Sequence, residues 1–83
     1  MKYSFSNTSE SEIRDFYVKI SKNIRRNRLE KGMKQLEVAL EIGITSVAFY
    51  SNCENMKYGK HFNLEHIYKL AKLFNIDPGD LLK

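Results

Sequence analysis

A single cysteine, Cys53, excludes an internal disulfide and is too little for a cysteine-based metal cluster. With His61 and His66 it makes no spacing that resembles a zinc motif, so neither a metal nor another cofactor is expected. No apolar run approaches the ~20 residues that a membrane span needs. The first residues lack the apolar stretch of a secretory signal, so a cytoplasmic protein is expected. A glycine-rich phosphate loop, a nucleophile elbow and a close pair of carboxylates are all missing, which argues against an enzyme. There is no internal repeat, low-complexity tract or interdomain linker.

What is present is a small basic chain. Its 83 residues suffice for one domain. A core of that size hides only about 60% of the surface that the unfolded chain exposes, so modest stability is expected. The net charge of +4 is unevenly spread. Residues 19–35 carry Lys19, Lys22, Arg25, Arg26, Arg28, Lys31 and Lys34 against Glu30 alone. In residues 36–56 the charged side chains are Glu37, Glu41 and Glu54. Residues 57–72 carry Lys57, Lys60, Lys69 and Lys72 against Glu65. Basic flanks around a cation-free segment suit phosphate contacts beside a base-reading element. Solvated helix faces would show the same charges.

Residues 1–9 read as an N-terminal arm, with Tyr3 and Phe5 among polar residues. Ser9 and Glu12 fit a capping box. Ile13, Phe16, Tyr17, Ile20 and Ile24 recur at helical spacing, predicting a helix over 10–31 with that stripe buried. Gly32 ends it. Residues 35–42 form a short apolar helix containing Leu36, Val38, Ala39, Leu40 and Ile42. Gly43 stops this helix, because glycine enters the left-handed conformation at least cost. Ile44 plugs inward, and Ser46 can cap a new helix over 47–55. Val47, Tyr50 and Cys53 share one face of that helix. After a loop over 56–62, Asn63 caps a helix that runs to Phe74, with Leu64, Ile67, Leu70, Ala71 and Phe74 inward. Asp77 and Pro78 open a last short helix that Asp80, Leu81 and Leu82 complete. The predicted fold is all-α, a compact five-helix bundle, with residues 10–83 as the domain. A short helix, a glycine turn and a second short helix form the pattern of a helix-turn-helix, whose second helix can lie in the DNA major groove.

At these residues the chain resembles the phage Cro/repressor-type (XRE-like) helix-turn-helix domains, with the lambda-repressor-like fold. The resemblance rests on an ordered set: Ile24 and Arg25, then Arg28 to Gln35 with Gly32 and Met33, Val38-Ala39, Ile42-Gly43-Ile44, Ser46, Tyr50-Ser51 and Glu54-Asn55. It runs from about Phe16 to Leu82. No single piece is specific, but the set at these spacings is a strong signal. Two departures stand out. Gly43 to Glu54 is one residue longer than the commonest family spacing, and we read Thr45 as the extra turn residue. The alternative register keeps the short turn and leaves Asn52 in the core. Lys34 stands where the family usually has a Thr helix cap, and a lost cap costs ~1 kcal/mol.

The resemblance implies double-stranded DNA as partner and a homodimer on an inverted repeat. Base readers are expected on the outer side of the second helix: Ser46, Val47, Ala48, Ser51 and Asn52, with Asn55 and Phe49 at its border. Asn can pair with the edge of adenine, and Val and Ala methyls can pack on the thymine methyl. Phosphate contacts are expected from Lys34, Gln35, Lys57, Tyr58 and Lys60, with His61 in the same loop. The resemblance further implies a structural ion pair between Arg28 and Glu54. Leu73, Ile76, Leu81 and Leu82 are apolar residues with no obvious place inside, and are the candidate dimer interface. Each reader taken singly could equally be plain helix surface, and Cys53 reads as a small core residue. His66 is expected to be solvated. A second reading is a helical protein-interaction module, antitoxin-like or an adaptor, with a cognate toxin as an example of its partner. The absence of Arg and Lys from the second helix supports it.

Overall fold

The computed structural model describes residues 7–83, and the regular secondary structure among them is helical throughout. The Tyr3–Phe5 arm lies outside the described residues. Helix α1 spans Glu10–Glu30, α2 Gln35–Glu41, α3 Val47–Asn55, α4 Leu64–Phe74 and α5 Pro78–Leu81. A single 3-10 turn, Lys57–Gly59, lies between α3 and α4.

Helix α1 opens on a reciprocal cap. The Glu12 N–H donates to Ser9 Oγ at 3.2 Å, and the Ser9 N–H donates to Glu12 Oε1 at 2.7 Å. Only its C-terminal half has a bundle to pack on. Ile20 and Ile24 are buried there, whereas Ile13 and Phe16 are 47% and 43% exposed. The predicted buried stripe is therefore too long. The cause is length: the 21 residues of α1 run for about 31 Å, while α2 has 7 residues, α3 has 9 and α4 has 11. The first turns of α1 overhang their neighbours.

The same limit leaves two leucines of α2 outside and corrects one further expectation, in α4. A helix of two turns can bury one narrow stripe, and in α2 that stripe is Val38 and Ala39. Leu36 and Leu40 stand out at 49% and 58% exposure. In α4, Ile67, Leu70, Ala71 and Phe74 face the core, but Leu64 is 81% exposed because it precedes the packed turns.

The turn between α2 and α3 fixes their relation. Gly43 has φ +83°, and the Ile44 N–H reaches back to the Ala39 carbonyl at 2.8 Å. A Cβ at Gly43 would find room, with Lys69 Nζ at 3.7 Å, so what demands glycine here is the backbone angle. Ile44 then enters the core. Lys34 makes no side-chain cap, but its N–H is taken by Glu37 Oε1 at 2.7 Å, which offsets part of the missing threonine.

All five helices contribute to one core, centred on Ile24, Val38, Tyr50, Leu70, Phe74 and Leu81. Two polar side chains of α1 pin the ends of other helices inside it. Ser21 Oγ donates to the Cys53 carbonyl at 3.2 Å, and Asn23 Nδ2 donates to the Leu81 carbonyl at 3.0 Å. Helix-end carbonyls buried this way need such donors.

Candidate nucleic-acid interface

Helix α3 is built to show one side. The Phe49 N–H donates to Ser46 Oγ at 3.1 Å, so Ser46 caps the helix. Tyr50, Cys53 and Glu54 point inward and are buried. Val47, Ala48 and Asn55 are exposed, and Ser51 and Asn52 are half-buried. This is the register with Thr45 as the added turn residue, since Asn52 is not in the core. Val47 is 42% exposed and does not share the burial of Tyr50 and Cys53, a correction to the predicted face. It lies on the first turn, where α3 leaves the bundle.

The exposed side is thus small, apolar and polar by turns. Ser51 and Asn55 bond each other, with Asn55 Nδ2 donating to Ser51 Oγ at 3.2 Å. The Asn52 amide makes no hydrogen bond among the described residues and is open to an incoming donor–acceptor edge. Phe49 is turned sideways, edge-on to the His66 ring with centroids 6.3 Å apart. His66 is accordingly only partly solvated: it also meets Phe62 edge-on at 5.9 Å and is half-buried.

Beneath α3 lies a buried polar hub. Arg28 Nε donates to Glu54 Oε2 at 2.9 Å, and Arg28 Nη2 donates to Glu54 Oε1 at 3.0 Å. Gln35 Nε2 donates to Oε1 at 3.1 Å, and the Tyr50 hydroxyl donates to Oε2 at 2.8 Å. Arg28 Nη1 spans to the Met33 carbonyl at 2.9 Å. One carboxylate therefore ties α1, α2 and α3 together. Burial opposes the Glu54 charge, but the bonds from Arg28, Tyr50 and Gln35 outweigh it and hold its pKa below the usual carboxylate value. The Arg28 pKa is raised by its bond to Glu54. Burial, then Glu54, pushes the Tyr50 phenol far up, so it stays a donor.

The structure brings Arg28 and Glu54 together, and it adds Gln35 and Tyr50 to them. Gln35 was expected on a phosphate, yet its amide nitrogen is engaged by Glu54. Tyr50 reads in the sequence as a plain core aromatic; a buried hydroxyl one turn before a buried Glu is the signal that would have placed it in the hub. Lys34 is exposed at the start of α2. Lys57, Tyr58 and Lys60 project from the loop after α3, and Tyr58 is 82% exposed. That loop is bent tightly, with Met56, Tyr58 and Gly59 all at positive φ. Two of these are not glycine, at roughly 1–2 kcal/mol each. His61 is held by a stack on Tyr17 of α1, with centroids 4.0 Å apart and planes at 21°. Pairing of α1 with this loop left no trace in the spacing pattern.

At the C-terminal end, Leu81 is fully buried in its own core and is removed from the candidate dimer face. Leu73, Ile76 and Leu82 remain half-buried. Cys53 is fully buried, and its thiol pKa is raised by that burial. Among the described residues no group of His, Cys, Asp and Glu could hold a metal, and no helix is long and apolar enough to cross a membrane.

A family model described as helix-turn-helix matches residues 24–81. No curated protein and no solved structure matches the chain.

Proposed function

The chain belongs to the Cro/repressor-type (XRE) helix-turn-helix family and carries the DNA-binding regulatory domain of that family, and from this we infer that it is a sequence-specific regulator that binds an inverted-repeat operator as a homodimer. One observation carries the reading. The exposed side of α3 combines methyl groups, hydroxyls and an Asn52 amide that is unpartnered among the described residues, and the Glu54 hub fixes that helix against α1 and α2. Val47 and Ala48 would meet thymine methyls, Asn52 an adenine edge, and Ser46 and Ser51 several edges. Lys57, Tyr58 and Lys60 would hold the phosphates beside it, with Lys34 and the free side of Gln35 on the other flank. Occupying promoter DNA would repress or activate the gene. A cytoplasmic, non-enzymatic role fits this reading.

Selection from a pool of randomised duplexes tests it. The expected result is enrichment of one inverted repeat, bound far more tightly than scrambled duplexes. Enrichment of nothing, with affinity equal on all duplexes, would leave a nonspecific binder.

A protein-interaction reading has two observations in its favour. Leu36 and Leu40, one turn apart on α2, leave apolar surface exposed, and α3 lacks cations. Salt separates the two. DNA affinity should fall steeply as salt rises, through counterion release. A module for a toxin or other protein partner would show no DNA affinity to lose.

A further inference from the structure

A groove of about 230 Å³ runs between the middle of α1 and the end of α3. Arg14, Lys22 and Arg25 line it from α1, and Asn55 and Met56 line it from α3. Positions 14, 18, 21, 22 and 25 of α1 fall on one face, so the three cations project along one wall. None of the three is ion-paired among the described residues: the salt bridges there belong to Arg28, Lys69 and Lys83. Glu54 also borders the groove, but its carboxylate oxygens are occupied by Arg28, Gln35 and Tyr50. The end of α3 contributes only the partial negative charge of a helix C-terminus, and its Cys53 carbonyl is taken by Ser21 and by the Met56 N–H. Three full positive charges against these make the groove a concave surface of net positive charge.

Its position says which anion it fits. Asn55 belongs both to the groove and to the exposed side of α3, where it bonds Ser51. The chain leaves the groove at Met56 and enters the loop that carries Lys57 and Lys60. A phosphate strand lying on that loop needs only to continue past the end of α3 to meet Arg25, Lys22 and Arg14. We propose that this groove takes a phosphodiester stretch of the same duplex that α3 addresses, extending the footprint along α1. The proposal rests on the DNA-binding reading above. Arg14 and Lys22 precede residues 24–81, so the contact extends into the part of α1 that the family match leaves out, while Arg25 lies within it.

The test compares two double variants with the parent on the selected duplex and on scrambled DNA. Arg14→Ala/Arg25→Ala removes two groove cations, all on exposed positions. Lys72→Ala/Lys83→Ala removes the same charge from α4 and the C-terminus. Helical content is checked by circular dichroism. The groove variant should lower the slope of log K against log salt by about two relative to the control variant, on both duplexes. Over a fourfold change in salt that is about a tenfold difference in affinity. Phosphate ethylation should reveal one or two interfering positions with the parent that vanish with the groove variant. A groove variant whose slope equals that of the control overturns the proposal while leaving DNA binding intact. If inorganic phosphate shifts the Arg14 and Arg25 side-chain NMR signals and the variant keeps the parent's slope, the groove is a small-anion pocket and the proposal falls. A parent that binds no duplex would sink the DNA-binding reading and this inference with it.

Discussion

Glu54 keeps a charge with 1% of its side chain exposed. Burial of that kind is tolerated only because each oxygen receives two donors. Removing one partner is then worse than removing the whole hub. Arg28→Ala should cost roughly 3 kcal/mol, since it strands a buried carboxylate. Urea unfolding measures this, and a midpoint equal to the parent's would mean that the pair contributes nothing. The same residue sets an acid limb. The folded pKa of Glu54 lies below the unfolded value near 4.5, so the unfolded chain binds more protons at acid pH. Its stabilisation is complete above about pH 4.5 and is lost as pH falls through the folded value. Glu54→Gln should be less stable near neutrality and show a flatter decline below pH 4.5. Asn52 carries a different kind of consequence, because its amide makes no hydrogen bond among the described residues. Asn52→Ala should weaken the selected duplex by ~1–3 kcal/mol and scrambled duplexes hardly at all. Equal weakening on both would remove Asn52 from the readers.

Helix α4 begins on a reciprocal box that depends on a proton. The His66 N–H donates to Asn63 Oδ1 at 2.8 Å, and the Asn63 N–H donates to His66 Nδ1 at 3.1 Å. Nδ1 can accept only in the neutral ring. Burial against Phe62 and Phe49 lowers the His66 pKa below 6.5; Glu65 raises it and Lys69 lowers it to a lesser degree. This stabilisation is therefore present above pH 6.5 and is lost as pH falls through the folded value. Gln at the same position keeps an acceptor for the box. His66→Gln should flatten the stability curve just below pH 6.5, whereas Asn63→Ala should cost ~1 kcal/mol across the pH range. Stability followed by urea at several pH values decides it; a Gln variant as pH-sensitive as the parent would place the titrating group elsewhere. The elements themselves were legible in the sequence, because Ser9, Gly43, Ser46, Asn63 and Pro78 act through local backbone chemistry. The helix period also marked the directions of the inner faces. It could not say how far along each helix a neighbour extends, which is why Ile13, Phe16 and Leu64 were over-assigned to the core. In the site, the Arg28–Glu54 pair was implied by the resemblance to the family and is formed in the structure. The donors Ser21, Asn23 and Gln35 were not legible, since their partners lie on other elements and two of those are backbone carbonyls.

One copy of α3 spans only part of a DNA turn, so specificity over a longer site calls for a second copy. A two-fold contact would set two α3 helices about 34 Å apart, one turn of the duplex. Two apolar surfaces compete for that role. At the C-terminal end, Leu73, Ile76 and Leu82 remain half-exposed around the buried Leu81. On α4, Leu64 and Tyr68 are more exposed, at 81% and 61%, but the Glu65–Lys69 ion pair at 2.7 Å lies beside them. A contact there would have to dehydrate that pair, and exposed pairs return at most about 1 kcal/mol. The C-terminal end carries the Lys83–Asp80 pair at 3.2 Å, so this cost does not separate the two surfaces; what favours the C-terminal end is that Leu73, Ile76 and Leu82 form one apolar patch already seated against the core. We therefore expect Leu82→Asp to give monomers that keep their helical content and bind the operator poorly, and Leu64→Asp to remain dimeric. Leu82 also touches the core, so circular dichroism must accompany the measurement. Sedimentation of parent and both variants is decisive. A Leu82→Asp protein that stays dimeric beside a monomeric Leu64→Asp would move the interface to the start of α4, and a parent that is monomeric at high micromolar concentration would remove the dimer altogether.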